Sequence, residues 1–185
     1  MGTGEPMMLL RELIGAIRMA KVRDVKLASL NVATVGIPER ILEYAECDIS
    51  GVKLNLQLSL HGTTDNQRLQ IMPRAALFGI KEVLSAASYF SKTKTRVVVN
   101  YLLLHGINDS SCDAERLAKL LDPELFVLKI SELNSIPEGT LVPSSRQRLF
   151  EFQDWLLERG LPVRIFTSAG VDIGAGCGQF SNSPI

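Results

Sequence analysis

The chain has 185 residues, of which 46% are hydrophobic and 22% charged. This excludes a disordered chain of low hydrophobicity, and the length is one domain's worth, enough to bury a sizeable core. Lys and Arg together number 20, as do Asp and Glu, so the formal net charge is zero. A freestanding nucleic-acid binder held mainly by phosphate contacts is strongly basic. Any nucleic acid met by this chain is therefore held by a local patch or by parts outside this sequence. Cys47, Cys112 and Cys177 lie far apart and form no CxxC pair, which argues against a zinc ribbon or a disulfide framework. The odd count and the lack of a leader pattern give the expectation of a reducing cytoplasm. The longest early apolar run, Met7–Leu10, is broken by Arg11 and Glu12, too short for a signal segment or a membrane span.

In chain order, helical and strand patterns alternate. After Pro6, Leu9, Leu10, Leu13 and Ile17 follow helical spacing. Val25–Val35 reads as a strand weakened by Asn31, and Pro38–Cys47 as a helix with Ile41, Leu42 and Ala45 on one side. From Val52 to Leu60 the alternation is unbroken, with five apolar residues on one face and Lys53, Asn55, Gln57 and Ser59 on the other. This predicts a strand with one polar face, in solvent or lining a lumen. Ala75–Phe90 is helical in composition. Val97–Val99 and Tyr101–Leu104 make a nearly continuous apolar strand, and Leu125–Ile130 makes another. Between them, Ser110 and Asp113 have capping-box spacing ahead of Leu117, Leu120 and Leu121, and Pro123 stops the helix. Ser144 or Ser145 caps a helix carrying Leu149, Phe152 and Leu156 and closed by Gly160, and Val163–Phe166 is a last short strand.

Strands joined by helices imply parallel pairing with right-handed crossovers. A closed eightfold barrel takes roughly 250 residues. The expected fold is α/β, a partial, open parallel β/α barrel lacking its N-terminal strand or strands. It is read as a single domain over 1–185 with a Cys-containing tail from about residue 168. In such folds ligands gather at the C-terminal ends of strands. The polar residues expected there are Gly4 and Glu5, Ser59 to His61, His105 to Asp109, Asn134, and the tail from Gly170 to Gln179. Taken singly, each also reads as a turn or cap residue. Cys177 stands out, because flanking glycines leave a thiol open to chemistry.

The order of the pieces is more specific. Gly4-Glu5-Pro6 is followed by Val32 to Gly36, Leu58-Ser59-Leu60-His61, Arg68 with Met72-Pro73, and Tyr101 to Leu104 with Gly106 to Asp109. Asn134, Asp172-Ile173 and Ala175-Gly176-Cys177-Gly178-Gln179 complete the series. It resembles the radical S-adenosylmethionine (SAM) methyltransferases that modify adenine C2 in 23S rRNA and tRNA, together with their C8-methylating resistance relatives. The resemblance runs from the first residue to about Phe180. It implies a radical SAM partial barrel, with SAM as cofactor and rRNA or tRNA as partner. SAM contacts are implied at Gly4, Glu5, Ser59, Leu60, His61 and Asn134, and Cys177 is implied as the catalytic thiol that is methylated and hands its methyl to adenine. The intact family also carries a 4Fe–4S cluster on a CxxxCxxC motif that has no counterpart here. A second family cysteine matches neither Cys47 nor Cys112, a family serine is Ala33, and the usual Arg-Gly-Asp-Asp-Ile-Asp is Ala169 to Gly174. Three functions therefore compete: an RNA methyltransferase present as a fragment inactive alone, a remnant that binds SAM or RNA without radical chemistry, and a nonfunctional truncation.

Overall fold

Five strands run in sequence order across one parallel sheet: β1 (Ser29–Thr34), β2 (Lys53–Ser59), β3 (Val97–Leu103), β4 (Phe126–Glu132) and β5 (Val163–Phe166). The computed structural model describes residues 4–73, 77–133 and 141–166. A 3-10 turn (Pro6–Leu9) leads into α1 (Leu10–Val22), and α2 (Pro38–Glu46) joins β1 to β2. Two helices, α3 (Asp65–Ile71) and α4 (Ile80–Thr93), join β2 to β3, while α5 (Ser111–Leu120) and α6 (Arg146–Glu158) make the last two crossovers. When strand order never reverses, right-handed crossovers all fall on one side. The result is a curved single-wound sheet, the partial barrel expected from the sequence.

The covered face explains the alternation. Leu54, Leu56 and Leu58 of β2, Val97, Val99, Tyr101 and Leu103 of β3, and Phe126, Leu128 and Ile130 of β4 are buried in one cluster. Ile41, Tyr44, Val83, Ala87, Phe90, Leu117 and Phe152 of the helices share that cluster. Tyr44 stacks on Phe90 with ring centroids 5.2 Å apart, and Tyr101 on Phe152 at 5.8 Å. The intervening residues point to the opposite face. There Asn55, Gln57, Asn100 and Lys129 are half-buried, and Val98, Leu102 and Val127 lie outside the core cluster. Where β1 ends, Gly36 takes φ +101, and a Cβ there would stand 2.5 Å from Val83 Cγ1. Glycine lets the chain leave the strand against α4.

Several elements differ from expectation. β1 begins at Ser29 rather than Val25, because the Val25 N–H closes α1 by donating to the Ala20 carbonyl and Asp24 turns the chain at φ +59. Helix α3 was not expected: it is short and polar, held by its Thr64 cap and the burial of Arg68. Helix α4 starts at Ile80, whose N–H donates to Asp65 Oδ1 from the preceding helix. Strand β3 runs unbroken through Asn100, which faces the open side, and β4 extends two residues to Glu132. The Ser110–Asp113 capping box forms in both directions.

Candidate functional site

The C-terminal ends of β1, β2 and β3 form a rim. Glu5 reaches it through its carboxylate. Oε1 accepts from the Met7 N–H at 3.1 Å, capping the 3-10 turn, and Oε2 accepts from the Val35 N–H at 2.9 Å, just past β1. Gly4 precedes it at φ +92. The Pro6 turn thus delivers a carboxylate to the end of a strand that begins some 24 residues later.

Ser59 ends β2. It is buried, and its hydroxyl has no hydrogen-bond partner among the described residues. The Leu60 side chain belongs to the core. Its N–H donates to the Asn100 carbonyl and its own carbonyl accepts from Arg68 Nε at 3.3 Å. His61 sits at φ +55, an uncommon backbone conformation for a residue other than glycine. This turn aims the imidazole across at β3, where Nδ1 accepts from the Leu102 N–H at 3.1 Å. A side-chain nitrogen replaces a carbonyl in the strand ladder. Burial, with the Arg68 guanidinium adding to it, pushes the imidazole down to about 4. The ring is therefore neutral near pH 7, and its proton must lie on Nε2, which has no partner among the described residues.

Two residues that carry this rim have roles beyond the sequence reading. Arg68 is fully buried, and no carboxylate lies within ion-pair distance of it among the described residues. Its guanidinium donates to three carbonyls: Val35 after β1 at 2.6 Å, Phe78 before α4 at 3.0 Å, and Leu60 after β2. Burial lowers its pKa, partly offset by Asp65. Gly62 lets α3 pack close, since a Cβ there would stand 2.8 Å from the Arg68 backbone nitrogen. Asn108 is the second hub. Its Oδ1 accepts from the Leu104 N–H, and its Nδ2 donates to the carbonyls of His61 and Leu102, each at 2.7 Å. Its place after Gly106 and before Asp109 is that of a turn or cap residue. Total burial of a full amide complement was not legible locally. Beneath the rim, Asp113 Oδ1 accepts from Thr63, Gln67 and Arg116, tying α3 to α5. Burial alone would raise the Asp113 carboxyl, but hydrogen bonds from Gln67, Ser110, Arg116 and Thr63 outweigh it and hold the pKa below the ordinary value.

Glu5, Ser59, Leu60 and His61 therefore share one rim. Asn134 and Cys177, with the whole tail, lie outside the described residues. Among the described residues no group of three or more His, Cys, Asp or Glu could hold a metal ion, and no helix is long and apolar enough to cross a membrane. Cys47 is half-buried after α2 and Cys112 is exposed on α5.

No protein-family model matches the chain. It is 38% identical over 183 residues to the "Probable dual-specificity RNA methyltransferase RlmN" of Thermotoga maritima, covering 97% of this chain and 52% of that protein. A protein of the same name from Thermus thermophilus is 37% identical over 185 residues, covering 98% and 51%. Among solved structures, a radical SAM methyltransferase from Sphaerobacter thermophilus superposes with a TM-score of 0.85 at 31% identity, covering 97% of this chain and 53% of that one. The chain thus spans about half the length of the relatives it matches.

Proposed function

We propose, from the premise that this chain belongs to the radical SAM RNA methyltransferase family, that it forms part of a cytoplasmic enzyme moving a methyl group from S-adenosylmethionine to adenine C2 of ribosomal or transfer RNA. The observation that supports this most is the rim, where a carboxylate, a hydroxyl and a neutral imidazole donor meet at adjacent strand ends.

That set suits the cofactor's polar groups. Each Glu5 oxygen accepts one backbone N–H and keeps lone-pair capacity for an ammonium, a charge-assisted bond. Ser59 offers a hydroxyl, and His61 Nε2–H offers a donor to a ribose hydroxyl or carboxylate. Asn134 and Gly4 complete the proposed contacts, and Leu60 contributes through the backbone it places. When bound, S-adenosylmethionine supplies a methyl group activated by its sulfonium. Cys177 is the thiol that takes up that methyl and hands it on, with Gly176 and Gly178 removing side-chain bulk around the sulfur. The described residues do not fit a 4Fe–4S cluster. Such a site takes clustered thiolates, and Cys47 and Cys112 lie on different helical segments.

Calorimetric titration of the chain with S-adenosylmethionine tests the reading. Saturable binding is expected, weakened at least about tenfold by Glu5→Gln through loss of a charge-assisted bond and unchanged by Cys177→Ala. No binding by the wild type overturns it. In a chimera joining this chain to the remaining half of the Thermotoga relative, Cys177→Ala should abolish methyl transfer to adenine, and undiminished turnover would remove Cys177 from the reaction.

A further inference from the structure

The sheet face away from the helices carries one continuous row. Ser59 is the register partner of Asn100, Asn100 of Lys129, and Lys129 of Arg164. Lys129 and Arg164 are therefore direct neighbours on adjacent strands, where like charges destabilise a sheet. Neither has a carboxylate within ion-pair distance among the described residues. By contrast Arg11, Arg40, Arg116, Lys119, Arg148 and Arg159 each do.

Phe166, two residues beyond Arg164 on the same face and 45% exposed, lies under the Lys129 ammonium, 3.6 Å from the ring centroid. This contact orients the ammonium without cancelling its charge. Asn100 beside it makes one long bond, 3.5 Å to Gln57 Oε1, leaving donor capacity on the row. The row starts one residue before Leu60 and His61, so its cations lie on the concave side of the rim. A net charge of zero leaves the molecule without a general attraction for phosphate, and these two adjacent cations form a local one.

We infer that Lys129 and Arg164 hold a phosphate of the RNA strand, with Asn100 as a neutral donor beside them, so that the adjoining nucleotide is presented to the rim. The planar guanidinium suits bidentate contact with phosphate oxygens, and the ammonium adds a point charge. The repulsion between the two cations is relieved when the phosphate is bound. This assignment rests on the RNA reading above.

The test is the Lys129→Gln/Arg164→Gln variant of the full chain. Its affinity for a fluorescein-labelled short single-stranded RNA is measured by anisotropy across a salt series, its affinity for S-adenosylmethionine by calorimetry, and its stability in urea. At about 0.7 per single-strand phosphate contact, the slope of log K against log salt should flatten by about 0.7 for the one phosphate held, and affinity should fall roughly 5-fold at about 0.1 M salt. S-adenosylmethionine binding should be unchanged and stability equal to or above the wild type. Unchanged RNA affinity and slope overturn the inference, as does a loss of stability, which would make the pair structural. Loss of S-adenosylmethionine binding with RNA binding intact would assign the cations to the cofactor's carboxylate and overturn it too. A wild type that binds no RNA would refute the RNA reading itself, and this inference with it.

Discussion

Acid should weaken this fold at one identifiable place before the carboxylates respond. His61 accepts a backbone hydrogen bond at Nδ1 from Leu102. Protonation places an N–H against an N–H, and β3 loses an acceptor beside a buried guanidinium. The imidazole pKa is about 4 in the fold against 6.5 for the free group. The unfolded chain therefore binds the proton more readily between those values. The stabilisation is complete above pH 6.5 and is lost as pH falls toward about 4. At about 1.4 kcal/mol per tenfold, the loss amounts to about 3 kcal/mol, with a slope near 1.4 kcal/mol per pH unit inside the window. Asp113 acts lower: its depressed carboxyl contributes stability above the ordinary value of 3.8, lost only as pH falls below that. Urea unfolding from pH 7.5 to 4.5, with an NMR titration of the imidazole in a His105→Gln background, separates these contributions. An imidazole titrating near 6.5, or a stability that is flat between pH 6.5 and 5, would refute the reasoning.

Gly62→Ala should destabilise by about 1–3 kcal/mol in urea melts, because its Cβ meets the Arg68 backbone nitrogen at 2.8 Å. A neutral result would mean that α3 shifts freely. Asn108→Ala should cost about 3 kcal/mol, since the Leu104 N–H and the carbonyls of His61 and Leu102 lose their partner together. The same variant should raise the His61 pKa by loosening its enclosure, which an NMR titration reads directly.

Periodicity carried the architecture because the helices cover only one sheet face. The one valine and four leucines from Val52 to Leu60 had to alternate with polar residues, and the Ser110–Asp113 cap and Gly160 stop act within a few residues of themselves. What stayed hidden depends on distant partners. Nothing beside Arg68 in the sequence marks its charge for burial, and only three carbonyls from separate segments make that burial possible. The start of α4 follows from a carboxylate fifteen residues earlier. Asn100 reads as an interruption of β3 until Gln57 and Lys129 appear beside it. In the candidate site, motif order located Glu5, Ser59 and His61, but not the hydrogen bonds that leave His61 neutral and Asn108 fully occupied.

Arg68 and His61 hold neighbouring seams by different physics. The seam between β1 and β2 is closed by a cation solvated by carbonyl dipoles, which neither acid nor salt titrates over the ordinary range. The seam between β2 and β3 is closed by an imidazole that acid converts from acceptor to donor. Mild acid therefore biases the molecule toward opening on one side. In hydrogen exchange near pH 5, the Leu102 and Leu104 amides should lose protection while the β1–β2 ladder keeps its own. The rim then behaves as a hinge line with one fixed edge and one that protons release.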